Sequence, residues 1–156
     1  MIDTYFIAKF LHLLAMTLML GGTVINGLLH TQARRAAPVA ASQLLVAVMR
    51  INRLLMLPAL LALPLSGVWL IHLTGSQVSD LWILAGLIFS GLLLLAYALG
   101  LRIETTLLNT ALAARATSAE TLPKLYASQF RSAAPIGFSA LAVSLAALTV
   151  MILKPL

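Results

Sequence analysis

Four long apolar runs, separated by short polar stretches, span about residues 5–27, 54–73, 81–101 and 134–153. An α-helix needs roughly 20 apolar residues to cross a hydrocarbon core of about 30 Å, and these runs meet that length. None alternates with the two-residue period of a strand, and only helices or closed barrels satisfy their backbone in lipid. The pattern therefore predicts an all-α polytopic membrane protein: an antiparallel four-transmembrane-helix bundle, with residues 1–156 forming a single membrane domain.

The stretches between the runs refine this outline. "TQARRAAPVAAS" is rich in turn signals, and Pro38 favours a break within it. "QLLVAVMRINRLL" then resumes helical periodicity before the second span. That span carries Pro58 and Pro64, each without a backbone donor, which predicts a bend between Pro58 and Gly67. The turn "TGSQVSD" is short enough to make the second and third spans a hairpin, flanked by Trp69 and Trp82 at interfacial depth. No breaker stops the third helix after Arg102, so it should continue through "IETTLLNTALAARA" to "TSAETLP". Thr117 and Glu120 have the spacing of a capping box. "LPKLYASQFRS" reads as a short amphipathic helix lying on the inner leaflet, and the fourth span as running from near Pro135 to Lys154-Pro155. Gly86 with Ser90, and Ala140 with Ser144, have the small-residue spacing that lets membrane helices approach closely.

Within the first run the polar and soft residues follow a rule of their own. Tyr5, Lys9, His12, Met16, Met19, Thr23, Asn26 and His30 are separated by alternating steps of four and three, which keeps them on one helical face. Polar groups are costly in hydrocarbon and face the bundle interior, so this stripe should form an inward seam, with Lys9, Thr23 and Asn26 among its members.

Charge changes the picture next. Only 9% of residues are charged, against roughly a quarter in soluble domains, so no soluble fold fits. The net charge of +6 is not spread evenly. Arg34, Arg35, Arg50, Arg53, Arg102, Arg115, Lys124 and Arg131 fall on one side of the alternating spans, while Lys9 and Lys154 balance Asp3 and Asp80 on the other. The positive-inside rule makes the arginine-rich side cytoplasmic. The expected location is a bacterial inner membrane with both termini periplasmic. The expected partner is the lipid bilayer, with anionic headgroups against the basic side and no role for nucleic acid. The first run has no basic leader ahead of it and exceeds a signal-peptide core, so it reads as an uncleaved first span.

Candidate chemistry is sparse. Cysteine is absent, which excludes thiolate metal sites and thiol catalysis. Asp3, Asp80, Glu104 and Glu120 lie outside the four runs, so a carboxylate relay inside the bundle is not expected. His12 is the deepest histidine, and imidazole can ligate a metal or haem, shuttle a proton, or simply hydrogen-bond across helices. Met16 and Met19 are soft ligands in principle and ordinary core fillers in most helices. His72, at the outer end of the second span, could flank the same cofactor as His12 or sit at the interface.

"KFLHLLAMTLMLGG", "RLLMLPALLALPLSGVWLI", "LPKLYASQFRSAAPIGFSA" and "LTVMILKP" together resemble a family of bacterial predicted integral membrane proteins of unknown function. The first two also resemble, more weakly, copper-resistance D proteins and HemJ-type protoporphyrinogen oxidases. In those oxidases the first-helix histidine serves haem and porphyrin chemistry, and His12 occupies the matching place. They pair it with a lysine of the third helix, and "LWILAGLIFSG" has none. Taken with the residues themselves, the leading expectation is a small haem- or redox-associated membrane protein rather than an independent enzyme, with His12, by resemblance, and His72, by its place in the outer half, as candidates for binding haem b. Two alternatives stand beside it. One is copper or small-solute transport along His12, Met16 and Met19; the other is a non-catalytic subunit, without cofactor, that packs on a membrane-protein partner or a second copy.

Overall fold

The structure, a computed structural model, describes residues 3–154. Asp3 begins the fold by accepting a hydrogen bond from the Tyr5 amide at 3.2 Å, capping helix α1, Thr4–Ala33. After a short turn, Pro38 opens α2, Pro38–Ile51, where the missing proline donor costs nothing. A single π-helical turn, Asn52–Met56, joins α2 to α3, Leu57–Thr74, so these form one continuous 37-residue rod. Gly75, at φ +66°, ends it in the left-handed conformation that glycine adopts without strain. Helices α4, Leu81–Ala116, and α5, Lys124–Leu153, complete the chain. All four long rods are apolar enough to cross a membrane.

Each rod is 30 to 37 residues, or about 45–55 Å at 1.5 Å per residue, so each outruns a hydrocarbon core of about 30 Å. The extra length builds a second core. Ala15, Met16, Met19, Met56, Leu60, Leu63, Leu93 and Ala147 pack within the spans. Ala33, Ala41, Leu45, Leu107, Ala111 and Tyr126 form a separate cluster at the arginine-rich end. Around both, side chains such as Phe6, Phe10, Leu54, Leu65 and Phe138 point outward, more than 60% exposed. A soluble monomer does not carry so extensive an apolar surface, whereas lipid covers it readily.

The helices pair α1 with α3, α4 with α5, and α2 with both α1 and α4. His12 meets Ser66 and Asn26 meets Asn52, so α1 and the α2–α3 rod run in opposite senses. The expected tight hairpin of the second and third spans is not the main packing unit. α3 leans chiefly on α1, and α3 and α4 touch only slightly despite their short connection.

Three expectations need correction or relocation. The departure from α-helical geometry near Pro58 lies one turn earlier than the predicted 58–67 segment, at Asn52–Met56. Proline crowds the carbonyl four residues before it, here Leu54, so the preceding turn is the one that widens. Thr117 does not cap a following helix. It is the C-cap of α4, its hydroxyl lies 3.1 Å from the Ala114 carbonyl, and Ser118 at φ 54° reverses the chain. The last carbonyls of α4 lack intrahelical partners and compete successfully for that hydroxyl. The segment 124–131 is not a separate surface helix, because α5 runs unbroken from Lys124 through Pro135. Tyr126, 1% exposed, anchors its first turn in the end cluster, and Gln129 accepts from Thr110 at 3.0 Å. Of the predicted Lys154-Pro155 stop, Lys154 ends α5 in a left-handed conformation, and Pro155 lies outside the described residues.

The small-residue pairs have an internal use. Gly86 approaches the Met151 side chain, and Ser144 is fully buried, with its hydroxyl turned back to Ala140. The Gly86 face therefore serves the α4–α5 contact of a single chain.

Candidate functional site

The α1 stripe faces inward along most of its length. Met16, Met19 and Asn26 are buried, and Tyr5, His12, Thr23 and His30 are partly buried. Lys9 is exposed, with its ammonium 5.6 Å from the Tyr5 ring centroid. Met16 and Met19 belong to the central core alongside Met56 and Leu60. Thr23 turns its hydroxyl back to the Met19 carbonyl at 2.8 Å.

His12 is held by α3. Its Nδ1 lies 3.1 Å from the Leu63 carbonyl and 3.0 Å from Ser66 Oγ, and the ring lies against Gly67. A carbonyl oxygen can only accept, so Nδ1 carries the hydrogen and neutral His12 keeps its lone pair on Nε2. Ser66 completes the arrangement by donating to the Ala62 carbonyl at 2.6 Å. His72 is exposed on α3, six residues or about 9 Å along the axis beyond Ser66. The structure thus ties His12 to Ser66 and leaves His72 on the outer surface. Among the described residues, no three His, Asp or Glu side chains are grouped to hold a metal ion.

The other end of the stripe contains a polar cluster that sequence reasoning missed. Glu104, expected to lie outside the bundle, enters it from α4 with its side chain only 15% exposed. One carboxylate oxygen accepts from His30 Nε2 at 3.1 Å, and the other accepts from Asn52 Nδ2. Asn52 Oδ1 accepts from Asn26 Nδ2 at 2.6 Å, and the same Asn26 nitrogen lies 3.2 Å from Met56 Sδ. Tyr97 donates to the Asn52 carbonyl at 3.3 Å, in the π-helical turn. π-helical turns recur at functional sites because they disturb the regular ladder and re-aim side chains. Here the turn supplies Asn52 and Met56, both buried.

The direction of every bond in this cluster follows from its anchor. An ionised carboxylate only accepts, which fixes the Asn52 amide with nitrogen toward Glu104 and oxygen toward Asn26. Asn26 must then present its nitrogen to Asn52, leaving Asn26 Oδ1 as the free end of the chain. On the other branch, His30 gives its Nε2 hydrogen to Glu104 and leaves Nδ1 free. Both atoms are buried without a protein partner among the described residues. The cluster therefore ends in unused polar atoms on two residues one helical turn apart.

These residues border a cavity of about 350 Å³. Its walls are mostly apolar, including Leu93, Ile136 and Leu141, with Gly100 and Gly137 opening its side. Asn26, His30, Asn52 and Glu104 form its polar part. The signal that locates Glu104 is in the sequence after all. Leu93, Tyr97, Gly100, Glu104, Leu107, Ala111 and Ala114 repeat the four-three step of α1, which puts Glu104 on the inner face of α4.

A four-span helical membrane protein with a polar cluster inside its bundle is the class that this geometry defines. The chain belongs to the family described as predicted integral membrane protein (DUF2269), whose model matches residues 6–155. Neither a curated protein nor a solved structure matches it. The weaker resemblances to copper-resistance D proteins and HemJ-type oxidases therefore gain no support from comparison.

Proposed function

We propose that this protein is a non-enzymatic binding protein of the membrane, holding a small amphipathic molecule between α1, α4 and α5. One observation carries the reading: the apolar cavity of about 350 Å³ that ends on the buried Asn26–Asn52–Glu104–His30 cluster. Ligand pockets commonly measure about 300–1,000 Å³, with apolar walls and a few placed polar groups. Dodecanol should occupy the wild-type protein in lipid nanodiscs saturably, one per chain, after partition into protein-free discs is subtracted. Gly137→Phe fills the cavity from an open position and should abolish that binding while helicity is retained. Non-saturable uptake, identical in both proteins, would sink the proposal.

A second reading is favoured by the His12 tautomer. An imidazole whose Nδ1 hydrogen is held by a carbonyl presents Nε2 as a Lewis base, the usual arrangement behind a metal-bound histidine. On this reading His12 would hold haem b, or copper together with Met16, through its Nε2 lone pair. Protein from haem-replete cells would then show a Soret band that His12→Ala removes and His72→Ala leaves unchanged. A colourless, copper-free wild type would leave His12 as an α1–α3 tether.

We also propose that the arginine-rich end, with Arg34, Arg53, Arg102 and Arg115, faces the cytoplasm of a bacterial inner membrane. A periplasm-active reporter should then work in the 76–79 turn and fail beside Arg35. The reverse pattern would overturn the assignment.

A further inference from the structure

We infer that the cavity takes one acyl chain of a membrane phospholipid whose head joins a phosphate to a primary ammonium; this rests on the cavity reading and names the class of its occupant. The tail comes first. The cavity is lined by Val24, Gly27 and Leu28 of α1 and by Gly137 of α5, all exposed on the outside of the bundle. A Cβ on either glycine would meet nothing within 4 Å. The α1–α5 contact is also light beside those of α1 with α3 and α4 with α5. The cavity is therefore a slot between α1 and α5 that opens sideways onto the surface covered by lipid. A hydrocarbon chain can enter it without leaving the bilayer.

The slot leads to a group of charges at headgroup depth. Helix α1, with 30 residues, is about 45 Å long, and a bilayer with its headgroups measures roughly 40–45 Å. Arg34, its C-cap, therefore lies among the headgroups of one leaflet. Thr31, one turn back, and Phe130 of α5 both line the slot. The Arg34 guanidinium lies over the Phe130 ring, 5.0 Å from its centroid. Arg34 also lines a second cavity, of about 290 Å³, together with Arg35 and with Glu120 from the α4–α5 connection. Arg34 thus joins a charged pocket to a wall of the apolar slot. Among the described residues neither arginine forms an ion pair with a carboxylate.

These charges select the head. Two guanidinium groups suit a phosphate, which arginine binds through charge-assisted and often bidentate hydrogen bonds. Basic pockets between transmembrane helices hold lipid phosphate heads in this way. Glu120 adds the discrimination, because a carboxylate in the same pocket repels a head that is only anionic. A primary ammonium on a short link from the phosphate meets that carboxylate with three hydrogens and a positive charge. A choline head brings the charge without the hydrogens. Inside the slot, Glu104 sets a negative charge against the carboxylate of a free fatty acid, whereas an esterified chain carries none.

The test is native mass spectrometry of the full chain, released from nanodiscs that hold equal amounts of ethanolamine, glycerol and choline phospholipids with identical acyl chains. The wild type should retain one ethanolamine phospholipid per chain, favoured about tenfold or more over either other head. Replacing both arginines, Arg34→Gln with Arg35→Gln, should lower retention of all three lipids about tenfold or more. Glu120→Gln should still retain lipid but shift the preference to the glycerol head. Gly137→Phe should release the lipid by filling the slot. The three polar positions are exposed, and the wild-type ranking decides the matter even if a variant does not fold. Retention of the three heads alike, or of the glycerol or choline head most, would overturn the inference. So would retention that Gly137→Phe leaves unchanged, since the tail would then lie elsewhere, or no retained lipid at all. Dodecanol separates these failures from that of the cavity reading. Saturable dodecanol binding that Gly137→Phe abolishes keeps the cavity, and its absence removes both.

Discussion

Glu104→Leu should lower the stability of the protein by about 2–6 kcal/mol, because it leaves His30 Nε2 and Asn52 Nδ2 without an acceptor at about 1–3 kcal/mol each. The loss should spread along the chain. Without the carboxylate, nothing fixes the Asn52 amide, so the Asn26 bond and its contact with Met56 lose their orientation. Leucine of similar bulk restores packing but no acceptor, so shape alone does not rescue the site. Thermal unfolding in mild detergent measures the effect, with Glu120→Leu as an exposed control. If Glu104→Leu melts with the wild type, Glu104 does not anchor the cluster.

Gly22→Ala should destabilise the bundle by about 1–3 kcal/mol, the usual cost of overpacking, while Gly21→Ala should be neutral or slightly favourable. The two glycines are neighbours with opposite surroundings. A Cβ on Gly22 would stand 2.7 Å from Met56 Cγ, whereas one on Gly21 meets nothing within 4 Å. Met56 is poorly placed to retreat, because its sulfur accepts from Asn26 and it sits in the π-helical turn. Gly86→Ala makes a useful contrast, since the neighbour there is the terminal methyl of Met151, which can swing aside. Melting temperatures of the three variants should fall in the order Gly21→Ala, Gly86→Ala, Gly22→Ala. Equal temperatures for the Gly21 and Gly22 variants would contradict the close approach of α1 to the Asn52–Met56 turn.

The four spans and the inward face of α1 were legible because hydropathy and period are local properties. Runs of leucine announce helices, and a four-three step announces a face. The continuation of α4 to Ala116 was legible too, from the lack of a breaker after Arg102, but what it packs against was not: Leu107 and Ala111 bury themselves against Ala41, Leu45 and Tyr126. Glu104 lies in that continuation, and placing it outside the bundle hid the site. Its partners His30, Asn52 and Asn26 come from two other helices, a pairing that no single stretch of sequence encodes. For the same reason His12 was recognised and Ser66, its partner 54 positions away, was not.

The π-helical turn also resolves a problem of phase. Each residue of an α-helix rotates its side chain by about 100° around the axis. A perfectly regular rod from Pro38 to Thr74 would carry one inner face along its whole length. This rod has two tasks: α2 packs against both α1 and α4, whereas α3 packs chiefly against α1 and barely touches α4. The widened turn at Asn52–Met56 inserts an angular offset between Ala41, Leu45 and Val48 on one side and Ala59, Leu60 and Leu63 on the other. It works like the offset between two cams on a single shaft, letting one unbroken helix close the arginine-rich end of the bundle while its other half yields room beside α4.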